Sequence, residues 1–175
     1  SMKEISSLNL TQVVALLRAT PQTLRRLLSP LDSSILLWRP SPHIRSINEV
    51  VGHLIESDQH AYAAPIHAML AYELPELECW EDHLPLPDQH DERDVLELLA
   101  ELEVMRHEHA TLIANLRPGQ LARSGFHPQV GELQVVDFIY DWVFQDCRHI
   151  KQIMDLLQMS AWPKMGNFRH LMPPK

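Results

Sequence analysis

The chain has 175 residues, an apolar fraction of 45% and a formal net charge of −8. This length predicts one domain with a genuine core, and no run approaches the roughly 20 apolar residues that span a bilayer. The acidic balance argues against nucleic acid as a partner, because phosphate binding needs a concentrated basic surface. With no Asn-Gly or Asp-Gly pair and little apolar–polar alternation, the sequence favours helices throughout.

The first helix is predicted over residues 9–28. Asn9 can cap it, with Gln12 three residues further on, and Pro30 lies just beyond its end. Pro21 lies inside the helical pattern, so a kink or a break is expected near Thr20.

The second helix is predicted over 46–71, where Ser46 and Glu49 form a capping box. A Pro-rich acidic connection follows from 72 to 90 and contains Cys79 and Trp80. It is long for a bundle loop and therefore predicts a crossover. Third and fourth helices are predicted over 91–116 and 133–159.

Each of these four helices carries one apolar stripe. Four amphipathic helices of such length are typical of an all-α four-helix bundle, formed here by a single domain over residues 1–175.

The cellular compartment follows from the cysteines and the N-terminus. Cys79 and Cys147 could pair, but a count of two fits a reducing cytoplasm at least as well. The N-terminal SMKEISSLNL lacks a basic segment followed by a long apolar one, so no signal peptide is predicted. We therefore expect a cytoplasmic protein whose partners include neither a membrane nor nucleic acid.

Polar side chains interrupt the predicted inner faces of three helices. On the fourth helix, alternating steps of four and three place these positions on one line: Phe138, Trp142, Gln145, His149, Gln152 and Leu156. On the second helix His53 points inward or nearly so, and on the third His109 breaks an apolar line. The i, i+4 spacing of Gln145 and His149 would let both side chains coordinate one metal ion.

The ordinary reading of a single histidine is a hydrogen-bonded boundary residue. Seven of the eleven histidines are predicted to lie on the surface or in loops: His43, His67, His83, His90, His107, His127 and His170. A cluster of inward polar groups on several helices is more informative, because buried polar groups cost free energy unless they are partnered. A metal ion shared between helices is one explanation.

Several segments together are similar to a known family. They are the Trp38–Arg39–Pro40 loop, the second-helix stretch INEVVGHLIESDQH and the fourth-helix stretch FQDCRHIKQI. With the helix lengths, they make the chain resemble the DinB-like (DinB/YfiT) superfamily over most of its length. The resemblance implies an up-down-down-up bundle with a long crossover between helices two and three, and a homodimer. It also implies a Zn²⁺ or Ni²⁺ ion held by one histidine of helix two and two histidines of helix four.

Carried over to this sequence, the helix-two ligand is His53 and the second helix-four ligand is His149. The first helix-four ligand falls on Gln145, whose neutral amide oxygen is a weaker donor than imidazole. Residues that could complete the donor set are Asp141, Asp146, His60 and His109. Asp146 is rotated by roughly 100° from Gln145, so it better suits a supporting position behind the ligands.

Two hypotheses of function follow from the resemblance. In the first, the chain is a metal-dependent enzyme, either a thiol S-transferase or a hydrolase acting on a small molecule. Metal-bound water, or the thiolate of a low-molecular-weight thiol, would be the nucleophile. In the second, the chain has lost the metal at Gln145 and binds a small molecule or another protein. The sequence assigns no catalytic side chain, and a purely structural bundle is a third reading.

Overall fold

The computed structural model describes residues 4–80 and 92–172. Four long helical segments make up the bundle. The first is α1 (Leu10–Leu28), the third is α5 (Val95–Ala114) and the fourth is α7 (Val135–Ala161). The second segment joins α3 (Ile47–Ser57), a π-helical turn (Asp58–Ala63) and α4 (Ala64–Ala71). None of the described helices is long and apolar enough to cross a membrane.

Shorter elements connect these segments. They are α2 (Ser33–Leu36), α6 (Pro118–Leu121), the strands β1 (Ser124–His127) and β2 (Gly131–Gln134), and 3₁₀ turns at Trp162–Lys164 and Gly166–His170. The capping boxes predicted at Asn9 and Ser46 are both present. The third helix begins at Val95 rather than near residue 91, because the Asp94 side chain accepts a hydrogen bond from the backbone N–H of Leu96 and caps it there. Cys79 and Cys147 are free thiols.

The mostly helical four-helix architecture is confirmed, but the sequence did not predict the β-hairpin. β1 and β2 pair antiparallel, with His127 opposite Gly131. Gly131 has a φ of +86°, which glycine adopts without the steric cost that a side chain imposes. Leu133 therefore lies in β2, and the fourth helix begins at Val135 rather than at 133.

The hairpin is also paired with the chain that follows α4. The backbone N–H of Leu77 donates to the carbonyl of Phe126 at 2.9 Å, and that of Phe126 donates to Pro75 at 2.8 Å. A Cβ atom on Gly125 would lie 2.9 Å from the Leu77 side chain, so glycine allows this close approach. The start of the connection after α4 is thereby fixed against the hairpin.

The second and third long segments run in the same direction. Asn48 donates to the carbonyl of Arg93 near their beginnings, and Arg106 contacts Asp58 further along both. The chain between α4 and α5, predicted as a crossover, leads from the end of the second segment to the beginning of the third. Part of that connection, residues 81–91, lies outside the described residues.

Pro21 does not break α1, which continues from Leu10 to Leu28. Proline has no N–H to donate to the carbonyl four residues earlier, which belongs to Leu17. The guanidinium of Arg106 donates to that carbonyl at 2.9 Å. The carbonyl that Pro21 leaves without a helical partner in α1 is thus bound by a side chain from α5.

A buried layer of charged groups divides the core. One apolar cluster lies around Leu24, Leu54 and Leu102, and a second lies around Val13, Ile66 and Ile139. Between them, all five N–H donors of Arg106 are used. They bind both carboxylate oxygens of Asp58, both of Asp146, and the Leu17 carbonyl.

Three further groups contact the two carboxylates. Trp142 donates to Asp58 at 3.1 Å, Nδ1 of His109 lies 3.2 Å from Asp58, and Thr20 donates to Asp146 at 2.7 Å. Every long segment of the bundle contributes to this layer. Buried charge is tolerated here because each charged atom has partners.

The layer fixes the charge states of Asp58 and Arg106. Burial opposes ionisation of Asp58, but the Arg106 charge and hydrogen bonds from His109, Arg106 and Trp142 outweigh it and hold the pKa of Asp58 below its ordinary value. Burial likewise opposes the charge on Arg106, yet Asp146 and Asp58 raise its pKa. Both groups are therefore charged at neutral pH.

Replacing Arg106 by methionine should destabilise the protein by about 3–5 kcal/mol, because two carboxylates would remain buried without their cation. Chemical denaturation would measure this difference. Arg25→Met is the matched control. It removes an ion pair whose side chains are 39% and 46% exposed, so its cost should stay below about 1 kcal/mol. Equal losses in the two variants would contradict this account of the layer.

Acid should also weaken the fold through Asp58. Its pKa is lowered from 3.8 in the folded protein, so its contribution is complete above that value and is lost as the pH falls below it. The denaturation midpoint, measured at a series of pH values, should therefore drop most steeply below pH 3.8. In Asp58→Asn, already less stable at neutral pH, this part of the acid dependence should be smaller.

Candidate functional site

A cavity of about 400 Å³ opens between the second segment, α7, the hairpin and the chain that follows α4. Its lining is partly apolar and partly polar, as small-molecule sites usually are. The lining residues are His53, Ser57, Ala61, Tyr62, Pro65, Glu78, Trp80, His127, Val130, Leu133, Asp137, Phe138, Asp141, Gln145 and His149.

His53 and His149 meet at the wall of this cavity. Their ring centroids are 4.9 Å apart and their planes cross at 61°. His149 is buried and His53 half-buried, and the Nε2 atom of His53 lies 3.4 Å from the hydroxyl of Ser57. The two histidines singled out by the sequence thus come from α3 and α7 and adjoin each other.

Gln145 lines the same cavity one helical turn before His149. Its amide oxygen accepts a hydrogen bond from Arg148 at 3.4 Å. All three residues predicted as a metal set therefore border one cavity. That they bind one metal ion together stays a prediction.

Trp80 packs against the second segment beside the histidine pair. Its ring stacks on His53 with a centroid distance of 5.2 Å and lies 6.4 Å from the ring of His60. Trp80 reaches this position because the preceding chain is paired with β1 through Leu77. The tryptophan in the predicted crossover is therefore part of the cavity wall.

His127, predicted as a surface or loop residue, also lines the cavity. Its Nδ1 atom accepts hydrogen bonds from the backbone N–H groups of Gln129 and Val130, at 3.1 and 3.4 Å. A neutral ring that accepts at Nδ1 carries its proton on Nε2. Without the hairpin in the prediction, nothing in the sequence placed His127 near α7.

Tyr62 and Asp141 form a polar pair in the wall. The Tyr62 hydroxyl donates to Asp141 at 2.7 Å, and the Tyr62 ring stacks on Trp142 at 4.9 Å. Burial, together with the charge of Asp141 and this hydrogen bond, raises the pKa of Tyr62 above its usual range. The phenol is thus a neutral donor at physiological pH. Trp142 in turn donates to Asp58, so this part of the wall packs against the buried charged layer.

The other donors considered from the sequence lie apart from the histidine pair or have other partners. His60 is exposed and lies 3.4 Å from Glu56. His109 contacts Asp58, and both oxygens of Asp146 bind Arg106. Asp141 lines the cavity and accepts from Tyr62, but it forms no metal-binding group with the two histidines.

The chemistry of the donors can be compared with the requirements of a metal site. Within residues 4–80 and 92–172, no group of three or more His, Cys, Asp or Glu side chains could hold a metal ion. Zinc enzymes use three such side chains and leave one position for water or substrate. Two imidazoles and the amide of Gln145 therefore fit a catalytic zinc or nickel site poorly.

The fold and the site are those of a helical-bundle protein with a polar cavity between its second and fourth segments. The sequence model that describes the DinB superfamily matches residues 16–153 of this chain. The chain therefore belongs to the DinB superfamily, as its resemblance indicated.

A solved structure gives the same fold. It is YfiT from Bacillus subtilis, described as a probable metal-dependent hydrolase with an unusual four-helix bundle topology. The sequences are 20% identical, the alignment covers 93% of each chain, and the TM-score is 0.76. No curated protein matches the sequence.

Alkaline titration should reveal the environment of Tyr62. Because its pKa is raised by burial and by Asp141, the Tyr62 phenol should not ionise until the protein unfolds. Tyrosinate absorbance should then rise in a step that coincides with loss of the helical circular dichroism. Tyr62→Phe should remove that step, whereas Tyr140→Phe, which removes an exposed hydroxyl, should retain it. Ionisation of Tyr62 in the folded protein would contradict the geometry.

Proposed function

We propose that this protein binds a small organic molecule in the cavity beside His53 and His149. One observation carries the proposal: the two imidazoles adjoin, 4.9 Å apart, at the wall of a cavity of about 400 Å³. This volume lies within the range of ordinary ligand sites. In this proposal the ligand is held without a tightly bound metal ion, because the described donor set lacks a third strong ligand.

The imidazoles give the site a capacity for proton transfer. A neutral imidazole carries one N–H donor and one acceptor nitrogen, and histidine is the side chain whose ordinary pKa lies nearest to neutral pH. A ligand placed against His53 and His149 could therefore donate a proton to one ring and accept one from the other. The neutral phenol of Tyr62, whose O–H donates to Asp141, adds an acceptor oxygen in the same wall.

A second candidate is a metal-dependent hydrolase. The observation in its favour is that His53 and His149 are adjacent at the positions where the family pattern has ligands. YfiT, which has the same fold, is described as a probable metal-dependent hydrolase. A thiol S-transferase that uses a low-molecular-weight thiol is a variant of this candidate. A homodimer, implied by the family resemblance, and a cytoplasmic location, expected from the cysteines and the N-terminus, also stay proposals.

The two candidates predict different metal contents. Under the metal-free proposal, the protein purified without an affinity tag should contain zinc and nickel well below one atom per chain. Gln145→His should bring the zinc content close to one atom per chain, because a third imidazole would complete the donor set. Elemental analysis and zinc titration would measure both quantities.

Two further variants complete that experiment. Gln158→His adds a histidine at an exposed position of α7 and should not change the metal content. Adding His149→Ala to Gln145→His should abolish the gain. If the parent protein already holds one metal ion tightly and His149→Ala removes it, the metal-free proposal is wrong and the hydrolase candidate stands.

Filling the cavity tests ligand binding directly. Ala61 lines the cavity, whereas Ala64 lies three residues further along and is exposed. Ala61→Trp should abolish binding of small aromatic probes detected by ligand-observed NMR, and Ala64→Trp should leave it unchanged. Circular dichroism would verify that both variants are folded. Probe binding that survives Ala61→Trp would place the ligand elsewhere.

A further inference from the structure

We infer that the cavity selects an organic cation, such as an aromatic or alkyl amine, over an anion of the same shape. The inference rests on the proposed binding function and specifies the ligand class of that site. It follows from the charges that surround the cavity rather than from the histidine pair.

The lining is acidic. Three carboxylates border the cavity, those of Glu78, Asp137 and Asp141, and no lysine or arginine does so among the described residues. A cleft lined by charges of one sign concentrates ligands of the opposite sign. The formal net charge of −8 acts in the same direction over longer distances.

The carboxylates retain acceptor capacity for a ligand. Asp141 accepts from the hydroxyl of Tyr62 at 2.7 Å, and Asp137 accepts from the backbone N–H of Gln134 at 2.7 Å. These bonds hold two of the three groups in place. An ionised carboxylate offers about four lone-pair positions, so a single bond leaves it able to accept from an ammonium group.

Aromatic rings supply the rest of the recognition. Trp80 and Phe138 line the same cavity as the carboxylates. Cations are attracted to the faces of aromatic rings, and apolar ring surface also binds the hydrocarbon part of an amine. Carboxylates beside aromatic rings therefore suit a molecule with one cationic head and an apolar body.

An arginine outside the lining contacts one lining residue. Arg148 donates to the Gln145 oxygen at 3.4 Å, but it is exposed and does not itself line the cavity. An anionic ligand would therefore meet three carboxylates without a compensating lysine or arginine among the described lining residues. Such like-charge contacts are an effective way to reject a ligand.

Three probes of nearly the same shape test the inference. They are phenethylamine, phenylacetamide and phenylacetate, which are cationic, neutral and anionic at neutral pH. Their dissociation constants would be measured by NMR titration of the full chain at low and at high salt. The amine should bind at least about tenfold more tightly than the carboxylate, and its advantage should shrink at high salt.

Two matched variants assign the effect to the cavity. Asp141→Asn keeps an acceptor for Tyr62 and should weaken amine binding about two- to fivefold, with little effect on the amide. Asp155→Asn changes the net charge equally, but its side chain is exposed on α7 outside the cavity and should have no effect. Equal weakening by both variants would mean that only the overall charge acts, which overturns the inference.

The outcomes separate this inference from the proposed function. If the amide or the carboxylate binds in the cavity as tightly as the amine, the cation inference is wrong while the binding function stands. If none of the three probes binds in a way that Ala61→Trp abolishes, the binding function fails and the inference fails with it.

Discussion

The buried guanidinium of Arg106 is the constraint on which the rest of the bundle depends. It binds Asp58 and Asp146 on two other helices and takes up the carbonyl in α1 that Pro21 leaves without a partner. Removing Arg106 would leave two buried carboxylates without their cation, so the layer favours a single arrangement of the helices. Its influence extends to the cavity, because Trp142 donates to Asp58 and supports the ring of Tyr62.

The sequence predicted the architecture because caps and apolar stripes are local signals. The capping boxes at Asn9 and Ser46 and the stripes on four helices depend only on neighbouring residues. The hairpin depends on contacts that are distant in sequence, such as Gly125 against Leu77, and these left no local pattern. Arg106 was overlooked although it follows Leu102 by one helical turn on a buried stripe. An arginine in that position, opposite two acidic residues on other helices, is a signal that sequence reasoning could have used.

For the candidate site, the sequence predicted residues better than it predicted their surroundings. It singled out His53 and His149, which adjoin, and Gln145, which shares their cavity. It assigned His127 to the surface or a loop, because the hairpin that carries this residue was not foreseen. It also offered His60 on the second helix as a further donor, but that side chain is exposed. The assumed spacing of 3.6 residues per turn does not hold there, since the chain is π-helical from Asp58 to Ala63.

That π-helical turn has a consequence for comparing this chain with its relatives. A π-helix closes hydrogen bonds over five residues instead of four, so the positions before and after it follow separate helical registers. Aligned with a protein whose second segment is α-helical throughout, this chain requires a one-residue gap inside a helix. Alignment without that gap would equate Ile66 or Met69, both buried, with positions on a different face of the relative. Residue correspondences inferred from His53 are therefore secure only up to the turn.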